Sequence, residues 1–323
     1  MVLTPAVLAT TRFVVENARY VVIDSGHVEA VAQELAERRL SAPTFDRVHH
    51  PSGPEPWLAN FILVLDTLNF SFWPDPGQPR WRVPYDGVTY DGYWALVAAL
   101  RRALDENLPL TDAAYLAQLS DADVAQILRG EGPVPLLAER AAALRETGQV
   151  LSERYAGQFV NAIEEADYNA VKLTGLLASN FSSFADLADY GGQPVHLLKR
   201  AQITCSDLYG ASDGARWGNL ADLDKLTAFA DYKVPQVLRR LGILEYTGTL
   251  ADTVDQRQPL RPGSEPEVEI RAATIWGVEF LRRALAARGQ QLRAFEIDWH
   301  LWELGQSLPP DTRPYHLTRT IYY

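Results

Sequence analysis

The sequence predicts a mainly α-helical fold with a small β element, organised as one compact domain over residues 1–323. An N-terminal part to about residue 148 leads into a core over about 150–323. Three observations predict this. Apolar residues recur at helical spacing in many segments. Those segments are joined by proline-marked loops. No internal repeat, low-complexity tract or long linker interrupts them. With 323 residues and 47% hydrophobic side chains, the chain can bury a sizeable core.

Taken in order, residues 12–24 are rich in valine and predict a strand or a buried helix edge. Val28, Val31, Ala32, Leu35 and Ala36 repeat at helical spacing, with Pro43 as the expected stop. Pro43, Pro51, Pro54 and Pro56 mark a loop over 41–57. Residues 58–73 are strongly apolar and aromatic and end at Pro74. The turn-rich region to Gly87 holds Trp81 and Tyr85, expected in a short strand or hairpin. A helix is predicted from Gly92 to Leu104. Pro109 breaks the chain after it, and Thr111 and Ser120 are the expected N-caps of two short helices. Pro135 suits the first turn of a helix over 135–147, and Gly148 suits its end. Residues 151–190 read as helix followed by a polar, aromatic region. Lys199 starts a helix running toward a Gly210 cap. Asp231 opens another, with Val234, Val237, Leu238 and Leu241 on its apolar side and Gly242 closing it. Ser264 and Glu267 predict a capping box for a helix to 287. The tail from Pro309 to Tyr323 is short and aromatic.

Composition excludes much. No apolar run is long enough to span a bilayer, and Met1 to Thr11 lacks the basic start of a signal peptide. The single cysteine, Cys205, rules out an intramolecular disulfide, and a cytoplasmic protein is expected. A net charge of −11 favours a small-molecule partner over duplex nucleic acid, whose phosphates call for a basic face. The six histidines form no metal-ligand spacing, no glycine-rich phosphate loop is present, and no Gly-x-Ser-x-Gly elbow appears. No metal or cofactor is expected. Oligomeric state is left open.

Of 30 basic residues only four are lysine: Lys172, Lys199, Lys225 and Lys233, all within one stretch. A lysine kept in an arginine-rich chain hints at a need for a compact charge with a tunable pKa. Asp231, at a helix start, reads equally as an N-cap. Its surroundings favour more. Lys199, Ala201 and Gly210, followed by Ala230-Asp231-Tyr232-Lys233-Val234 and then Val237, Arg240, Leu241 and Gly242, resemble the helix-hairpin-helix DNA glycosylases. In that family the corresponding aspartate supports cleavage of a base–sugar bond. The resemblance implies a DNA-glycosylase-like helical fold with Asp231 as the catalytic carboxylate. Two departures stand out. The family's Pro-Gly-x-Gly hairpin is replaced by Gly191-Gly-Gln-Pro-Val-His-Leu-Leu198, and the Lys199–Asp231 interval is 32 residues, longer than usual.

A wider resemblance covers nearly the whole chain. Asn69-Phe-Ser-Phe-Trp73, Lys199-Arg-Ala-Gln-Ile203, Phe229-Ala-Asp-Tyr-Lys-Val-Pro-Gln236, Glu267-Val-Glu-Ile-Arg271 with Trp276, and Tyr322-Tyr323 resemble the queuosine salvage protein family. That resemblance implies a hydrolase cleaving queuosine 5′-monophosphate to queuine and ribose 5-phosphate. Asp231 is then the carboxylate beneath the sugar, and Lys199 either places charge near the base or holds Asp231. Asn69, Phe70, Ser71, Trp73 and Asp75 are candidates for the base, with Phe229 and Tyr232 beside them, and Lys233 and Arg271 for the phosphate. The rival readings are a DNA base-excision glycosylase and a non-catalytic helical binding protein.

Overall fold

The computed structural model describes residues 6–38 and 45–323. Fourteen α-helices dominate them, with three two-stranded antiparallel pairs at the periphery. The valine-rich N-terminal stretch is both things its composition allowed: helix α1 (Val7–Glu16), then strand β1 (Val21–Ile23). Asp24 caps helix α2 (Ser25–Glu37) by accepting from the His27 N–H at 2.8 Å. The stop expected at Pro43 and the first residues of the Met1–Thr11 stretch lie outside the described residues.

Helix α3 (Pro56–Thr67) opens on a proline in its first turn and is buried on all sides from Leu58 onward. Its last carbonyls are met by two buried arginines. Arg200 donates to Asp66 O (3.1 Å) and Thr67 O (2.6 Å), and Arg140 donates to Leu68 O and, at 2.5 Å, to Phe70 O. Strands β2 (Arg82–Tyr85) and β3 (Val88–Asp91) form the expected hairpin. Asp86 and Gly87, at φ 48° and 76°, make the two-residue turn that matches strand twist.

Helix α4 (Gly92–Asp105) follows as predicted. Short helices α5 (Ala113–Ala117) and α6 (Asp121–Ile127) come next. Ser120 caps α6 in a full capping box with Asp123, but α5 is capped by Asp112, not Thr111. The largest departure is helix α7 (Leu137–Arg154), which runs straight through the expected stop at Gly148. Gly148 marks a close approach instead: a Cβ there would sit 2.3 Å from Ala117 N and 2.6 Å from Ala113 O of α5.

Helices α8 (Phe159–Glu165) and α9 (Ala170–Asn180) lead into strands β4 (Leu187–Tyr190) and β5 (Gln193–His196), turned by Gly191 and Gly192 at φ 60° and 78°. This hairpin occupies the place of the missing glycine-rich motif. It feeds helix α10 (Lys199–Ser212), which ends at Asp213 in the left-handed region rather than at Gly210. Gly210 is bare because the Phe45 ring rests there, 2.6 Å from where a Cβ would stand.

Helix α11 (Lys233–Arg240) ends at Gly242 (φ 75°), and strand β6 (Leu244–Tyr246) pairs with β1. Helix α12 (Gly248–Asp255) precedes the long helix α13 (Glu265–Ala287). The expected box at the head of α13 is not made. The Glu267 carboxylate accepts from Gly263 N–H at 3.0 Å, and Ser264 Oγ makes no capping bond. Helix α14 (Ala294–Gln306), not singled out in the sequence, precedes the aromatic tail.

Two apolar clusters form the core. The larger gathers α3, α4 and α7 to α10; the smaller gathers α2, α11, β6 and much of α14. Helix α13 feeds both, with Val268, Ala272 and Ile275 in the larger and Ile270, Ala273 and Val278 in the smaller. Among the described residues no helix is long and apolar enough to cross a membrane.

Candidate active site

Between the two clusters lies a cavity of about 390 Å³, and both Asp231 and Lys199 line it. Asp231 falls where the chain passes from one cluster to the other: Phe229 and Ala230 belong to the larger, Val234 and Val237 to the smaller. Three helices hold this crossing still. Asp298 of α14 accepts the Phe229 N–H at 2.8 Å. Arg271 of α13 donates Nε–H to Ala230 O at 3.0 Å. Asp231 Oδ1 accepts the first N–H groups of α11, from Lys233 at 2.9 Å and Val234 at 2.8 Å. The Asp231 side chain therefore caps the helix as its position suggested, from one residue before the N-cap position, which Tyr232 holds. The capping bonds use Oδ1 and leave Oδ2 for the cavity.

Arg271 ties this strut to the other wall. Its guanidinium makes a two-pronged ion pair with buried Asp186 at 2.9 and 2.6 Å, and Asp186 Oδ2 accepts the Lys199 N–H at 3.0 Å. One salt bridge thus fixes the start of α10 relative to the peptide before Asp231. The Lys199 ammonium reaches the Asn69 carbonyl at 3.3 Å.

The electrostatics follow from burial. Desolvation pushes the Asp231 carboxyl up, opposed chiefly by Lys199 and then by the helix N–H groups. Desolvation pushes the Lys199 ammonium down, opposed by Asp231 and Asp66. Beneath Lys199, burial raises Asp66 to about 7, and Asp207 lies well above the carboxylate range for the same reason and because of Asp66. Asp298 is likewise raised by burial and then by Asp231.

Of the residues expected from sequence, Asn69, Phe70, Trp73, Lys199, Phe229, Asp231, Tyr232 and Lys233 converge on the cavity. Ser71, Asp75 and Arg271 do not line it. Ser71 is buried at φ 48° and donates its N–H to Tyr323 O at 2.9 Å. Asp75 pairs with Arg319 at the surface. Arg271 is spent on Asp186 and Ala230. Phe70 is gripped between Arg140 and Arg200, whose guanidinium carbons stand 4.4 and 5.0 Å from its ring centre.

The cavity also holds residues the sequence reading passed over: Arg80, Tyr93, Trp94, Asp207, Asp298, Trp302 and Tyr315 among them. Three had a readable signal. Lys199, Ile203 and Asp207 recur every four residues along α10, as do Asp298, Trp302 and Gln306 along α14, and all six line the cavity. The others depend on contacts between distant segments.

Comparison with known proteins identifies the family. Residues 49–323 match the family described as queuosine salvage protein. A relative from Sphaerobacter thermophilus is 56% identical over 317 residues, covering 98% of this chain and 97% of its own. One from Bos taurus is 37% identical over 332 residues, covering 97% of each chain. One from Schizosaccharomyces pombe is 31% identical over 345 residues, covering 98% and 99%. All three are named queuosine 5′-phosphate N-glycosylase/hydrolase.

Proposed function

The chain belongs to the queuosine salvage protein family, and from that premise we propose how its cavity does the chemistry. The protein is an N-glycosidase that cleaves queuosine 5′-phosphate and releases queuine for salvage. The observation that carries the mechanism is Asp231: a carboxylate fixed through one oxygen by a helix start, with the other free for substrate, facing a single buried lysine.

Breaking the bond between ribose C1′ and the base nitrogen builds positive charge on the sugar. Asp231 Oδ2 stabilises that charge and takes a proton from the attacking water. The water oxygen bonds to C1′, and the proton ends on the departing base. Queuine is a 7-deazapurine, so N7 protonation is not open to it, and its developing negative charge must be met elsewhere. Lys199 supplies positive charge there, directly or by holding Asp231 in its ionised form. We assign the base to Asn69, Phe70, Trp73 and Phe229. The phosphate falls to Lys233 and Arg80, the lysine and arginine that line the cavity besides Lys199, with Tyr232 beside them. Ser71 and Arg271 act from behind, by shaping the walls. A free nucleotide rather than duplex DNA suits the net charge of −11, and buried Cys205 suits the cytoplasm.

The test is direct. Purified protein incubated with queuosine 5′-phosphate releases queuine and ribose 5-phosphate, and Asp231→Ala lowers kcat by roughly a hundredfold or more, the usual scale for a preorganised electrostatic group. Near-normal turnover in Asp231→Ala would sink the assignment.

A further inference from the structure

Part of the cavity lining comes from α10, the segment carrying Asp46, the start of α4 and α14, and these residues form what we term its arm lobe. Its wall is aromatic. Tyr93, Trp94 and Trp302 pack edge to face, with ring centres 5.3, 5.7 and 6.0 Å apart, so each ring locks the others. Trp299 lines the lobe one helical step before Trp302.

Carboxylates stand against this wall. Asp207 is 5% exposed, lines the cavity and, among the described residues, has a single hydrogen-bond partner, Ser206 Oγ at 3.4 Å. Asp46 lines the same lobe, and Asp207 and Asp46 are both close enough to act on the Tyr93 hydroxyl. Lys199 acts on Asp207 too, but its charge is shared with Asp231 and Asp66, the carboxylates that influence it most. A buried acid lining a cavity beside packed aromatic faces, with no ion pair of its own among the described residues, is built for an organic cation.

The proposed substrate carries such a group. Queuine is a 7-deazaguanine bearing a cyclopentenediol through an aminomethyl link, and the linking secondary amine is protonated at neutral pH. Resting on the function proposed above, we propose that Asp207 and the Tyr93–Trp94–Trp302 wall bind this cationic arm and so select substituted 7-deazaguanine nucleotides over the bare one. The apolar face of the cyclopentene ring lies on the aromatic wall, and the ammonium meets Asp207, with Asp46 nearby. In the absence of the arm, burial beside Asp66 favours a proton on Asp207, and the ammonium takes the place of that proton. The lobe lies along the α10 face that also carries Lys199: two turns, about 12 Å of helix rise, separate Lys199 from Asp207. An arm attached to a base at the reaction centre can span that distance.

The experiment compares two substrates, queuosine 5′-phosphate and 7-deazaguanosine 5′-phosphate, which lacks the arm. Asp207→Asn and Trp302→Leu should each lower the ratio of their kcat/KM values by about tenfold, the scale of a desolvated charge or cation–π contact. An equal loss on both substrates would mean that Asp207 reads the guanine edge or only supports the fold, and would overturn the proposal. So would an unchanged ratio. A second measurement is independent of turnover: free queuine and free 7-deazaguanine are titrated against tryptophan fluorescence. The wild type should hold queuine at least tenfold more tightly, and both variants should lose that preference. Queuine preference without hydrolysis would reject the catalytic reading and keep the arm site. Hydrolysis without preference would do the reverse.

Discussion

In the mechanism we propose, Asp231 does two jobs with its two oxygens, and its chemistry depends on their separation. Oδ1 is pinned by the N–H groups of Lys233 and Val234, so the carboxylate cannot rotate away when charge develops on the sugar. The same burial that sharpens this electrostatic effect raises the Asp231 pKa and lowers that of Lys199. Catalysis needs the ionised carboxylate, so activity falls as pH drops through a raised pKa; it needs the ammonium, so activity falls again as pH rises through a lowered one. The kcat/KM profile should therefore be a bell, with its acid limb above the ordinary aspartate value of about 3.9 and its alkaline limb below the ordinary lysine value of about 10.4. Lys199→Met should remove the alkaline limb and shift the acid limb upward, because Lys199 is the largest influence holding Asp231 down. A profile in which Lys199→Met leaves both limbs in place would assign them to other groups.

At the scale of elements, the site is a set of helix ends brought together by buried arginines. Arg140 and Arg200 satisfy the end of α3, and with it the turn that presents Asn69 and Phe70. Arg271 links α13 to the start of α10 through Asp186 and to the peptide before Asp231 through Ala230 O. Arg271→Met would leave Asp186 and Glu267 buried without their cation, and breaking such a pair costs about 3–5 kcal/mol. Urea unfolding should show that loss at neutral pH, whereas a residue merely contacting the phosphate would leave stability near wild type. Much of this level was legible in the sequence. Helical spacing found most of the helices, and the Ser120 cap and the Asp86-Gly87 turn follow from local chemistry. The two misplaced helix ends share one physical cause. A glycine late in an apolar helix serves equally as a cap or as a point of close approach. Gly148 and Gly210 turned out to be the second, against α5 and Phe45, which only long-range packing decides. Asp231 and Lys199 were legible because a local pattern carries them. Asp207 and Trp302 carried only a four-residue helical spacing, and an aspartate and a tryptophan on ordinary helices acquire meaning from what faces them across the cavity.

At the scale of the molecule, the cavity is the seam between the two apolar clusters. Segments as far apart as Asn69, Lys199, Asp231 and Trp302 meet there, and α13 runs through both clusters beside it. A ligand in the seam touches walls that belong to each cluster and binds only when both are folded and docked. We therefore expect the chain to behave as one cooperative unit whose stability rises with occupancy. Asp231→Asn keeps the capping oxygen but weakens turnover, so it allows queuosine 5′-phosphate to be held during a thermal scan. At a ligand concentration of 100 Kd, one-site linkage contributes about 2.7 kcal/mol. In a chain of this size a kilocalorie moves Tm by only a degree or two, extrapolating the trend for smaller domains, so the expected shift is roughly 3–5 °C. Cooperative docking predicts a single transition that moves as a whole. Two clusters folding independently around the seam would instead give two transitions, with the ligand raising only one of them. Calorimetry of Asp231→Asn with and without the nucleotide distinguishes the two, and ribose 5-phosphate, which reaches only the Lys233 end of the cavity, should produce a smaller shift than the whole substrate.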